Sequence, residues 1–278
     1  SYVMEMANSG EYGKIYGAVQ GISSLLASVG GMISGLLYQF KEGEYALYIC
    51  SFLLIASTLW AAIGLKNNQC MHGERLPILQ IFKSINKRIL IFCVLVFIQS
   101  FVAGPMWSFI IPMYCYNILL FSPAKLGILM SMDELIGAPT YMLAGRVVDK
   151  VNVVKFNILF LLITALGGLF LIKSPTPTIF MVVFLICSVS ISCTFVGIPK
   201  ERIGFIRKEQ KGFELALISV CGSLGDSLGN NVLGRVAEKY TIDQCMYIFS
   251  ASYIVMALLV ALPLLFPNFR FASGKQEK

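Results

Sequence analysis

The sequence predicts an all-α integral membrane protein with eight transmembrane helices, and three observations predict it. Hydrophobic residues make up 57 % of the 278-residue chain and charged residues only 13 %, about half the ~25 % of an average soluble domain. So few charges cannot cover a water-facing surface. The apolar residues also gather into eight runs, each near the ~20 residues that a helix needs to cross a hydrocarbon core of ~30 Å. Finally, the runs are continuous, whereas the strands of a membrane β-barrel alternate with period two. The same composition excludes disorder, collagen and coiled coil.

The runs are 15–40, 45–65, 89–117, 126–144, 154–172, 179–199, 213–236 and 246–266. The first ends at the turn Lys41-Glu42-Gly43-Glu44, and Ser174-Pro175-Thr176-Pro177 separates the fifth from the sixth; such clusters interrupt helices. The third run carries the polar pair Gln99 and Trp107, and the sixth carries Ser188 and Ser192. Asp133, Glu134 and Pro139 lie in the fourth run, and Asp226 and Asn230 in the seventh. The eighth is plain apolar sequence.

Orientation follows from the lysines and arginines flanking the runs. Seventeen lie before run one and after runs two, four, six and eight, against five in the four opposite loops. Both ends of the sequence and the loops 66–88, 145–155 and 200–211 are therefore expected on the cytoplasmic side of a plasma or inner membrane. The 200–211 stretch reads as a solvated loop beside an anionic leaflet. The net charge of +7 resides in these short loops, which excludes a basic face for nucleic acid.

Shifting the sequence by 199 residues lays run one on run seven without a gap. Gly13 meets Gly212, Ser24 meets Ser223, Ser28 meets Ser227, Gly30 meets Gly229 and Gly35 meets Gly234. Both runs leave the cytoplasmic side, so the repeat is parallel. A parallel repeat of this length is how one large class of transporters is built. The loop Gly145-Arg146-Val147-Val148-Asp149-Lys150-Val151-Asn152 strengthens the parallel, because it resembles the cytoplasmic G-x-x-x-D-[RK]-x-G motif of the major facilitator superfamily. Asn152 replaces the usual glycine, and asparagine also tolerates the left-handed region. Gly17, Gly30 and Gly35 resemble a degenerate form of that family's glycine-rich antiporter motif, lacking its proline.

The resemblance implies a secondary active transporter whose helices five to twelve are present. Residues 1–65 would be the last two helices of an N-terminal bundle, 66–88 a cytoplasmic central loop, 89–266 a complete C-terminal six-helix bundle and 267–278 a tail. Four further N-terminal helices are expected in the full-length protein. Gly145, Arg146, Asp149 and Lys150 would form a conformational motif, with the arginine and lysine bridging helix ends. Gly17, Gly30 and Gly35 would form a helix-packing motif.

An ionisable residue in a transmembrane helix is costly and marks function. Asp133, Glu134 and Asp226 are therefore the candidates for proton coupling, joined by Asn230, Gln99 and Trp107 as candidates for solute contact. Asp226 takes first place, because Ser219, Gly222, Ser223, Asp226, Gly229 and Asn230 form one small, polar stripe at helical spacing. Pro139 loosens the helix beside Asp133 and Glu134 by freeing the carbonyl of Leu135. His72 is the only histidine, and cysteines such as Cys50, Cys93, Cys187, Cys193 and Cys221 sit inside apolar runs; neither a metal site nor a disulfide framework is expected. With no catalytic constellation or cofactor motif, the expected function is transport of a small-molecule solute across the lipid bilayer, by proton-coupled efflux. The alternative is a non-transporting sensor or scaffold on the same fold.

Overall fold

The computed structural model describes residues 11–40, 44–64, 87–174, 176–206 and 211–265. Most of the expected central loop and all of the tail 267–278 lie outside these residues. The described chain is helical from end to end: α1 Tyr12–Phe40, α2 Glu44–Gly64, α3 Lys87–Pro105, a π-helical turn Met106–Ile110, α4 Ile111–Asn117, α5 Pro123–Val148, α6 Val153–Ile172, α7 Pro177–Ile203, α8 Lys211–Lys239 and α9 Ile242–Leu265. Helices satisfy their own backbone polar groups, which is the condition for crossing lipid. The third, kinked rod (α3, π turn and α4) is one of the eight expected spans.

Several helix starts follow directly from local sequence. Ser122 and Thr176 cap α5 and α7 by accepting from the amides of Lys125 and Ile179, both at 3.3 Å, each with proline as the first helical residue. Asn152 caps α6, its Oδ1 accepting from the amides of Val154 (3.1 Å) and Lys155 (3.2 Å). Its backbone is extended, with φ −68° and ψ 108°; the expected left-handed conformation is not used, because the side chain is committed to capping.

Among the described residues, five helices are long and apolar enough by composition to cross a membrane: Tyr12–Ser34, Ile89–Asn117, Val153–Ile172, Pro177–Ile203 and Ile242–Leu262. Of the other long helices, α2 contributes the shorter apolar stretch Ser51–Trp60, and neither α5 nor α8 is among the five. α5 and α8 carry the three acids, and their charged and small polar residues lower their mean hydropathy. The main core lies among α3, α4, α6, α7, α8 and α9, where Phe180, Phe184, Phe249 and Tyr253 are fully buried.

The packing of α1 and α8 bears on the internal repeat. Along α1, Gly13, Gly17, Gly21 and Ser24 are buried against α5, while their counterparts 199 positions later, Gly212, Ala216, Val220 and Ser223, are exposed. Along α8, Gly222, Gly225 and Gly229 are buried against α3. Their counterparts on α1, Ser23, Leu26 and Gly30, are exposed in turn. Each helix of the pair has two faces for close approach and fills the opposite one. Gly30, expected to pack, therefore has no neighbour within 4 Å of its Cβ position, and the contact stripe is Gly13–Gly17–Gly21. The surroundings of Gly35 lie outside the described residues.

Candidate functional site

At the interior of the bundle a cavity of about 310 Å³ is lined from three rods: Ala103, Gly104 and Trp107 from α3 and the π turn, residues 133–141 of α5, and residues 188–195 of α7. Pro105 has no amide hydrogen to return to the helix, and the wider turn that follows it is π-helical. Such turns are frequent at functional sites. This one carries Trp107, whose Nε1–H donates to Asp133 Oδ2 at 2.9 Å. The loosening read from Pro139 is thus found on the neighbouring rod instead, since α5 runs through Pro139 without a break.

Asp133 is buried, and Ser188 of α7 stands beside the same carboxyl. Its second oxygen, Oδ1, is buried and has no hydrogen-bond partner. A buried carboxyl oxygen is costly unless a donor, water included, or a positive charge meets it. Glu134 points differently, as residues ~100° apart on a helix must. The Ser24 hydroxyl of α1 has its one proton between two acceptors of this residue, the carboxylate and the carbonyl oxygen 3.0 Å away. One acid therefore belongs to the cavity floor, and the other spans the α1–α5 seam while still lining the cavity.

Asp226 does not join them inside. It is exposed on α8, and its carboxylate lies against Gly104, where any Cβ would collide with it. Gly104 thus separates Asp226 from the cavity by one backbone thickness. Asn230 is also exposed and accepts from Ser108 Oγ at 3.5 Å. Gln99 is buried with its Nε2 unpartnered and does not line the cavity. Sequence reasoning missed Gly104 and Ser24. A glycine one residue before a mid-span proline was the available hint for the first, and no local feature points to the second.

The end of the bundle that carries the motif-bearing loop is held by Asp149. Its Oδ1 and Oδ2 accept from the amides of Gly13 (3.2 Å) and Lys14 (3.0 Å), the first turn of α1. A helix start has unpaired N–H groups and a partial positive charge, so Asp149 caps α1 from another helix. Lys200 Nζ lies 2.5 Å from Asp149 Oδ1, with both side chains largely buried. This corrects two expectations. Arg146 and Lys150 are exposed and make no ion pair among the described residues; the lysine of α7 takes that place. The stretch from Lys200 is also not a loop at its start, because α7 continues to Ile203 and Glu201 is buried, accepting from Asn157 Nδ2 at 2.7 Å.

Below Asp149 the seam closes backbone to backbone. A Cβ on Gly17 would strike the Tyr141 carbonyl, and one on Gly145 would strike that of Gly13. Towards the other end the seam loosens into an apolar crevice of about 610 Å³, lined by residues that include Gly31, Met113, Tyr116, Leu126 and Met130. Among the described residues, the α1–α5 seam is closely packed at one end, and a cavity lined by two carboxyls lies between α3, α5 and α7. The sequence model of the Major Facilitator Superfamily matches residues 1–230, and the chain belongs to that family. No curated protein matches the chain at a significant level.

Proposed function

We propose that this transporter is a secondary active carrier that moves a small solute by alternating access, coupled to protons and working as an exporter. The observation that carries this reading is the placement of Asp133 and Glu134. Asp133 offers the cavity an unsatisfied oxygen. Glu134 ties the cavity to the seam through Ser24. A proton taken up by Glu134 removes the charge that holds the Ser24 hydroxyl and weakens the seam at mid-depth; a solute drawn to Asp133 acts one residue away. The two events thus compete for one pair of carboxyls, which is the requirement for exchange. The other titratable groups around the pair are Tyr141 on α5 and Tyr16 on α1, with Asp226 behind Gly104. Asp226 is the second coupling position in this scheme.

In this scheme the Asp149 cap is the lock of the closed end. Replacing Asp149 with Asn removes the ion pair to Lys200 and weakens both amide contacts. A cap contributes ~1 kcal/mol, and charge-assisted bonds are about twice as strong as neutral ones. The closed end should therefore open about tenfold more often, read as the rate of maleimide labelling of a cysteine placed at Tyr141. An unchanged rate would remove the lock from the mechanism.

The charge asymmetry assigns the locked end to the cytoplasm. Gly204 and Thr176 are both exposed, at opposite ends of α7. In a background without the native thiols, Gly204→Cys should react with an impermeant reagent only from the cytoplasmic side and Thr176→Cys only from outside. Reversed labelling would invert the direction of transport proposed here.

The flux measurement that tests the whole reading is solute movement in proteoliposomes under an imposed pH gradient. Gradient-independent, non-saturable movement would refute it.

A further inference from the structure

We infer that the solute is an organic monocation with an apolar body, an inference that rests on the transport reading of the cavity. The lining supplies two carboxyls and the aromatic rings of Trp107, Tyr141 and Phe195, and it contains neither lysine nor arginine. An anion placed there would meet like charge in a poorly screened site. A cation meets the two carboxyls and aromatic faces, which attract positive charge within ~6 Å.

The single unpaired atom limits the ligand's charge. Glu134 already has Ser24, and Asp133 Oδ2 already has Trp107. Only Asp133 Oδ1 is buried without a protein partner in this lining, with the Ser188 hydroxyl beside the same carboxyl, so one positive centre is the most that the unpaired oxygen calls for. The apolar body has its place as well. Met130 lines the apolar crevice and lies three residues before Asp133 on α5, hence about one helical turn away. The nearest apolar surface for the remainder of a ligand with its charge at Asp133 is thus the crevice lined by Met130, Leu126 and Tyr116.

The chain contains two tryptophans, and Trp60 is exposed on α2 while Trp107 lines the cavity. In a Trp60→Phe background the indole emission reports the cavity alone. Tetraphenylphosphonium should quench it saturably, whereas tetraphenylborate, its anionic counterpart of the same shape, and neutral triphenylphosphine oxide should not. Asp133→Asn should weaken the phosphonium response at least tenfold, and Asp133→Glu should restore most of it. Asn keeps an acceptor for the Trp107 Nε1–H, so the unliganded emission spectrum checks that the cavity is intact. Glu134→Gln, tested in parallel, should weaken the response through lost charge without touching Trp107. Saturable binding of the borate or the oxide with equal strength, or a phosphonium response untouched by both substitutions, would overturn the inference. Phosphonium binding without gradient-driven phosphonium flux would leave the cation site standing and remove the transport reading. Gradient-driven flux of the neutral compound with no phosphonium response would do the reverse.

Discussion

Asp133→Asn should lower gradient-driven flux by about a hundredfold while leaving the amount of folded protein in the membrane near that of the parent. The substitution keeps shape and volume and preserves an acceptor for the Trp107 Nε1–H, 2.9 Å away in the parent. What it removes is the charge beside the unpaired Oδ1. A hydrogen bond to a charged group contributes ~1.5–3 kcal/mol, and each 1.4 kcal/mol is about tenfold in binding. Losing one such interaction with the solute and the capacity to take up a proton gives a loss of this size. Asp226→Asn should do less, because Asp226 is exposed and reaches the cavity only by way of Gly104. The check is initial flux against expression and detergent monodispersity for both variants. A larger loss at Asp226 would return the leading role to the α8 stripe.

Gly17→Val should stop transport for a different reason. The Cβ position of Gly17 overlaps the Tyr141 carbonyl, and a backbone atom of a packed helix cannot step aside. Overpacking costs ~1–3 kcal/mol, and here the strain falls on the seam between α1 and α5 that closes in the proposed cycle. Flux should fall at least tenfold, and the closed end should become labelled at the rate of the Asp149→Asn variant. Gly30→Ala is the control, since nothing lies within 4 Å of its Cβ position. Equal damage at Gly17 and Gly30 would mean that the Gly30 face is also a packed seam in the working transporter.

The spans themselves were readable because transfer of a ~20-residue apolar run into lipid depends on composition and hardly on neighbours. The edges of α5, α6 and α7 were missed by up to four residues, although their caps are local. Ser122, Asn152 and Thr176 cap by bonding amides two or three residues away, and a cap needs nothing from elsewhere in the chain. Asp133 and Glu134 stood out because charge within an apolar run is expensive wherever it faces. Asp149 stood out as part of a recognisable loop.

Partners were not readable. Ser24 is 110 residues from Glu134 in sequence, and Lys200 is 51 residues from Asp149. No periodicity within one helix says which neighbour it meets, or at what rotation. Spacing placed Gly17, Gly30 and Gly35 on one helix, yet Gly17 packs and Gly30 is open. Spacing likewise put Asp226 on a polar stripe, but could not tell whether that stripe faced the cavity or stood behind α3. Hydropathy fixes which segments enter the bilayer; contacts between helices, summed over carbonyls, glycines and a few hydrogen bonds, fix which face of each segment turns inward. In lipid those contacts are the larger share of what distinguishes one arrangement from another, because apolar side chains gain little by leaving one apolar surface for another.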